Sequence, residues 1–205
     1  MAEKQAQIDY LKAKMLDSAC NGMYKAARQI VFGSGNPDAD MMLVGEAPGD
    51  KEDKSGEPFV GRAGEMLDRL LGNVAVEREQ VYIANVMKWR PPGNRDPEPA
   101  EILLSAPYLH AQIAIIQPKV LVAVGRFAGN LLSGQEQVPM GALRENQGLL
   151  YEKGSLSIPV VAIYHPAYLL RNMNNEGAFR ATVRDLQRAV NILKKDGSQF
   201  EEPAY

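Results

Sequence analysis

Apolar residues occur along this chain in two arrangements that take turns. Short unbroken runs (Met41-Met42-Leu43-Val44, Val81-Tyr82-Ile83-Ala84, Val120-Leu121-Val122-Ala123-Val124 and Val160-Val161-Ala162-Ile163) lack the period of two of a half-exposed strand. They predict strands covered on both faces. Between them, apolar positions recur every three or four residues, which predicts helices over 5–16, 21–31, 63–71, 99–117, 126–132 and 177–194. Met66, Leu67, Leu70 and Leu71 set the period of the third helix and Gly72 stops it; the fourth is entered through a proline-rich loop. Residues 149–151 and 156–158 read as a hairpin about Lys153-Gly154. Strands alternating with helices predict an α/β fold with a mainly parallel, four-stranded sheet. No repeat, low-complexity tract or long linker divides the 205 residues, so one domain spanning 1–205 is expected.

Composition narrows the function more than the fold. No apolar run approaches the roughly 18 residues of a membrane span. The polar start, Met1 to Met15, does not read as a signal peptide, so a cytoplasmic protein without membrane contact is expected. A single cysteine, Cys20, excludes an internal disulfide and argues against a metal or iron–sulfur site built by this chain alone. The net charge of −2 excludes a general basic field as the means of holding nucleic acid. Local clusters can still do so: Lys88, Arg90 and Arg95 form one candidate, and Arg171, Arg180, Arg184 and Arg188 another, with a solvated face as the plainer reading of each.

Candidate chemistry gathers directly after three of the four strands. Gly45-Glu46-Ala47-Pro48-Gly49 follows the first, Asn85-Val86-Met87-Lys88-Trp89-Arg90 the second, and His165-Pro166-Ala167-Tyr168-Leu169 the last. Ligands of open α/β sheets bind beyond the carboxyl ends of the strands, so a parallel sheet would bring a carboxylate, an amide and an imidazole to one edge. Each motif alone has a plainer reading: a tight turn at Gly45 to Gly49, a cap at Asn85, a hydrogen-bonded core histidine at His165. Phe59, set among small and turn residues in Gly56-Glu57-Pro58-Phe59-Val60-Gly61, suits a pocket wall as well as a place in the core. His110, inside a predicted helix, reads as structural or exposed.

From about Cys20 to the closing helix these blocks, together with Val31-Phe32-Gly33-Ser34-Gly35-Asn36, Glu52-Asp53, Ala63-Gly64, Arg90-Pro91-Pro92 with Asn94-Arg95, and Pro107-Tyr108-Leu109, resemble the family 4 uracil-DNA glycosylases. The resemblance implies a three-layer α/β/α sandwich around a four-stranded parallel sheet. It implies a monomer that flips uracil out of DNA and hydrolyses its N-glycosidic bond, leaving an abasic site. Phe59 matches the aromatic that stacks on the flipped base, Asn85 the amide that reads it, and Glu52 the position against C5 of uracil. Gly45 and Gly49 match glycines whose backbone approaches base or phosphate. Glu46 and His165 match the catalytic pair, the carboxylate acting on water and the cationic sugar, the imidazole on the departing uracil O2. Tyr168, Leu169, Leu170 and Arg171 match a loop entering the minor groove, with Leu169 or Leu170 as wedge, and Lys88, Arg90 and Arg95 are further candidates for DNA contact.

The family holds a [4Fe–4S] cluster on four cysteines, and here the chain departs from it. Cys20 stands at the first ligand position, but Met23, Trp89 and Ser105 stand at the other three, so no cluster is expected. Two readings of Trp89 remain: a bulky indole filling the vacated space, or a surface aromatic stacking on DNA. The segment Lys88 to Arg95 lacks the histidine with which a related branch captures the sugar covalently, so simple hydrolysis is expected. Two other readings compete with uracil excision: removal of another modified base in the same fold, and a nucleic-acid-binding protein without activity.

Overall fold

The structure, a computed structural model, describes residues 1–17 and 27–195. Its elements in chain order are α1 (Ala2–Asp17), β1 (Ser34–Gly35), β2 (Met41–Gly45), α2 (Asp50–Ser55), α3 (Arg62–Gly72), β3 (Val81–Asn85), α4 (Pro99–Ile116), β4 (Val120–Val124), α5 (Arg126–Ser133), α6 (Met140–Glu145), β5 (Leu150–Lys153), β6 (Leu156–Ile163), α7 (Pro166–Arg171) and α8 (Glu176–Lys195). The strands form one sheet in the order β1-β3-β2-β4-β6-β5. Its centre, β3-β2-β4-β6, is the expected parallel four; the unforeseen two-residue β1 and β5, the first strand of the expected hairpin, add antiparallel edges to it.

The sheet is covered on both faces, which is why its central strands are continuous apolar runs. Met42, Val44, Tyr82, Ala84, Leu121, Ala123, Val160 and Ala162 point into a core shared with Ile8 and Met15 of α1, Leu109, Ile113 and Ile116 of α4, and Leu132 and Leu143 of α5 and α6. The alternate residues Met41, Leu43, Val81, Ile83, Val120, Val122, Val161 and Ile163 point the other way, onto Leu67, Leu70 and Leu71 of α3 and Leu186, Val190 and Leu193 of α8. The period-two signal is thus present, but both of its phases are apolar. Three layers follow directly.

Local details account for where elements begin and bend. Glu98 and Glu101 form a reciprocal capping box at the start of α4, with Pro99 in its first turn. Pro107 lies inside that helix on its solvent side, where the carbonyl it leaves unpaired, that of exposed Leu103, can reach water. β6 runs unbroken through Pro159, which the sequence reading took as a gap. Its first half pairs antiparallel with β5 and its second half parallel with β4 from Val160 onward, so the missing N–H falls outside the parallel ladder. Residues 27–31 of the expected 21–31 helix are non-helical, while 21–26 lie outside the described residues. There the chain is occupied otherwise: Val31 N–H bonds to the Lys88 carbonyl and Arg28 N–H to the Asp53 carboxylate. The short helices α2, α6 and α7 escaped the periodicity because one or two turns carry too few apolar positions to show a period.

Trp89, the only tryptophan of the chain, is 3 % exposed and belongs to the core under the first helical layer. The reading of a surface indole that stacks on DNA is therefore set aside. Cys20 and Met23 lie outside the described residues. Truncating Trp89→Ala is expected to cost about 3–5 kcal/mol of stability, the range for a buried aromatic; urea titration followed by circular dichroism measures it, and a loss below about 1 kcal/mol would show that the indole is not packed.

Candidate functional site

Pairing of β2 with β3 places Gly45 opposite Asn85 at the last rung of the parallel ladder. The chain beyond each strand stays in register for two more bonds, Val86 N–H to the Gly45 carbonyl and Met87 N–H to the Glu46 carbonyl, both 2.9 Å. The first and second motifs are thus one backbone unit. His165 enters from β6, two strands along, as the cap residue of α7. A cavity of about 390 Å³ opens at this edge, lined by Glu46, Gly49, Glu52, Phe59, Asn85 and His165, with Asn94, Arg95, Asp96 and Arg171 at its sides. The convergence expected from the three motifs is present.

Each wall has a physical reason for its place. Asn85 is 2 % exposed, and its Oδ1 has no hydrogen-bond partner, an uncommon state for a buried amide that marks an acceptor awaiting a ligand. A Cβ on Gly45 would overlap Asn85 Oδ1 and stand 2.6 Å from Phe59 Cζ, so only glycine lets the amide and the ring meet over β2. Phe59 holds a left-handed backbone (φ 53°), which a non-glycine residue adopts only under external constraint. The constraints are visible. Arg78 donates to the Pro58 carbonyl at 2.6 Å, Glu52 Oε1 accepts from Val60 and Gly61 N–H at 3.1 and 3.0 Å, and a Cβ on Gly64 would overlap the Phe59 carbonyl. Glu52 is therefore both a wall of the cavity and the brace of the loop that carries Phe59.

The two ionisable groups expected to act have their charges suppressed. Burial pushes the Glu46 carboxyl up to about 7, Asp96 adds repulsion, and Arg126 and Arg171 oppose the shift. Burial also pushes the His165 imidazole down to about 4, helped by Arg171 and opposed by Glu52. His165 Nδ1 accepts the Ala167 N–H at 3.1 Å, so the proton of the neutral ring sits on Nε2. Its ring lies 5.8 Å from that of Phe59, centre to centre. Asp96 and Arg126 were missed in the sequence reading. Asp96 lies in a loop and Arg126 opens α5 after β4, the one central strand without a recognised motif, and the strand-end rule alone would have pointed there.

Several residues expected to meet DNA are placed otherwise. Lys88 is fully buried; its Nζ donates to the Asn85 carbonyl at 2.8 Å and to Gln112 Oε1 at 2.6 Å, so it presents no charge at the surface. Leu169, 4 % exposed, packs with α3 and α8, which leaves the half-buried Leu170 as the candidate wedge. Arg90 is tied to Asp50 and Asn94, and Arg95 to both carboxylate oxygens of Glu101. Tyr168 stacks on Tyr164, and Arg171 is exposed at the mouth of the cavity. The second basic cluster does not form one face, since Arg188 turns to the Arg144 carbonyl and Arg180 pairs with Glu176. His110 is a structural group: its Nδ1 lies 3.0 Å from the Tyr151 hydroxyl, away from the cavity.

Ser105, at the expected fourth cluster position, is fully buried and its hydroxyl accepts the Lys88 N–H at 3.0 Å. With Trp89 packed in the core and one cysteine in the whole chain, these residues do not fit a four-thiolate cluster. Among the described residues no group of three or more His, Cys, Asp or Glu is placed to hold a metal ion, and no helix is long and apolar enough to cross a membrane.

Comparison with known proteins agrees with this geometry. Residues 32–187 match the family described as the uracil DNA glycosylase superfamily. The chain is 44% identical over 168 residues to the type-4 uracil-DNA glycosylase of Thermotoga maritima, covering 82% of this chain and 85% of that protein. It is 42% identical over 150 residues to the type-4 uracil-DNA glycosylase of Archaeoglobus fulgidus, covering 72% and 75%. A third relative, from Sulfurisphaera tokodaii, bears the same name and is 38% identical over 170 residues, covering 82% and 77%.

The Glu46 shift has a consequence for stability whose sign is fixed. A carboxyl raised in the folded state stabilises it below its unfolded value of 4.5, and that contribution is lost as pH rises through about 7. Glu46→Gln is therefore expected to melt at a higher temperature than the parent at pH 8, with the difference closing below pH 4.5. Thermal scans across that range check it, and an unchanged or lowered melting temperature at pH 8 would contradict the burial described.

Proposed function

The chain belongs to the uracil DNA glycosylase superfamily, and on that premise we propose that it excises uracil from DNA by hydrolysis, with Asn85 reading the base and Glu46 and His165 carrying the chemistry. The unpartnered Asn85 Oδ1 at the floor of the cavity is the observation that carries this reading. Placed there with its face against Phe59, uracil offers N3–H to Oδ1 and takes Nδ2–H at O4. Cytosine presents the opposite polarity at both points, and a mispaired polar group in a closed site costs about 1–3 kcal/mol or more. Glu52, braced on the Phe59 loop, stands where a methyl at C5 would need room.

Cleavage breaks the bond between C1′ and N1, and its electron pair leaves with the base. Negative charge then grows on O2 of uracil, where the neutral His165 donates from Nε2. A neutral donor is fitted to a charge that exists only in the transition state. The sugar becomes cationic at C1′; Glu46 as carboxylate stabilises it and takes a proton from the water whose oxygen bonds to C1′. All groups named belong to one chain, so a monomer suffices. Arg171 lines the cavity and shares the short helix α7 with Tyr168 and Leu170; these three are the groups proposed to meet the DNA around the flipped nucleotide.

Because Trp89 and Ser105 pack and bond where the family's thiolates would sit, we infer that the enzyme works without iron. A colourless preparation with no stoichiometric iron is expected to cleave an oligonucleotide at its single uracil after alkali treatment. Asn85→Ala and His165→Ala are each expected to lower the rate by about 100-fold or more, as loss of a transition-state hydrogen bond does. Binding without breaks, on uracil and on other altered bases, would instead favour the inactive nucleic-acid-binding reading. The value of kcat/KM, which reports the free enzyme, is expected to rise with pH through about 7 as Glu46 ionises, and to show no step from His165 above pH 5. A rate that falls through pH 7 would remove Glu46 from the role of base.

A further inference from the structure

Lys88 is a buried amine for which the reaction has no direct use. Removing an amine from water costs several kcal/mol unless it is well paired, yet no ion pair with Lys88 exists among the described residues. Its partners are neutral. Nζ donates to the Asn85 carbonyl and to Gln112 Oε1, and lies 5.5 Å from the centre of the Phe32 ring. Gln112 is oriented in turn, its Nε2 donating to the Phe32 carbonyl at 2.9 Å and to the Tyr82 hydroxyl at 3.3 Å. The Lys88 main chain is held from both sides, its N–H by Ser105 Oγ and its carbonyl by Val31 N–H. A residue fixed by α4, by the segment before β1 and by the turn after β3 is built to hold something still.

What it holds is the Asn85 peptide. We propose that Lys88, oriented by Gln112, is a positioning residue for the base-reading amide, clamping the backbone of Asn85 so that its side chain keeps its aim into the cavity. This rests on Asn85 as the group that reads uracil. The side chain of Asn85 has no internal hydrogen bond at Oδ1 to hold it, so its direction depends on the packing of Gly45 and Phe59 on one side and on the fixed peptide on the other. An apolar side chain at position 88 would fill the same space with less desolvation but would leave a buried carbonyl without this donor. The amine, spanning from Asn85 to α4, does what packing alone cannot. It ties the end of β3, which carries the amide, to α4 beneath the sheet.

Lys88→Met removes the donor at nearly constant volume. Loss of both Nζ hydrogen bonds, and with them of the donor to the Asn85 peptide, predicts that kcat on uracil-containing duplex and inhibition by free uracil both weaken by about tenfold. Affinity for the same duplex carrying an abasic-site analogue, and its salt dependence, are expected to change less than about twofold, because no phosphate contact is lost. Weaker binding of the abasic duplex with a shallower salt slope and unchanged inhibition by uracil would overturn the proposal in favour of a direct DNA contact. Unchanged values throughout would overturn it also. Should Lys88→Met fail to fold, the near-isosteric Gln112→Met releases the second anchor of Nζ, and about threefold weaker uracil inhibition with intact abasic-duplex affinity is expected; no change there overturns the proposal. Asn85→Ala serves as the reference. If it still binds free uracil like the parent, the base-reading premise itself has failed, a result distinct from failure of the clamp.

Discussion

The close approach of Asn85 and Phe59 across Gly45 governs the site. It needs the last rung of the β2–β3 ladder to be in register and a residue without a Cβ at that rung. The two bonds that continue the register, to Val86 and Met87, then aim Glu46 and the turn leading to Lys88. A shift by one residue would reverse every side chain of β2 between the two helical layers, so the site and both cores are set by one pairing. The catalytic edge is in this sense a by-product of how the sheet is packed.

The same fact explains what could be read from the sequence. Strands covered on both faces announce themselves as unbroken apolar runs, and all four central strands were legible for that reason. The motifs that follow three of them were legible because parallel strands end together. Lys88 was not, since a lysine two residues before an arginine, in the segment that leaves a strand end, looks like a surface charge, and only the three-dimensional arrangement of Gln112, Phe32 and Asn85 shows it turned inward. The choice between Leu169 and Leu170 as the wedge stayed open for a related reason. One turn of helix after His165 carries adjacent leucines, and sequence alone does not say which of the two meets the core. The residue-by-residue match to a family gave roles to positions, but not their exposure.

At two of the positions where the resemblance puts thiolates, the chain carries Trp89 and Ser105. A cluster ties distant segments through a common centre. Here the segments around Lys88 are tied instead by hydrogen bonds from Ser105 and Val31 and by the packing of Trp89 against the first layer.

Phe59 is a pocket residue in a strained backbone conformation, held there by Glu52, Arg78 and the open space at Gly64. Strain of this kind is met once, when the chain folds, and not at each encounter with DNA. On the proposed function, the wall on which the base stacks has its shape before any base arrives. A nucleotide sampling the cavity is therefore judged against a rigid template, and its dwell time reflects its own fit, not the readiness of the protein to mould around it.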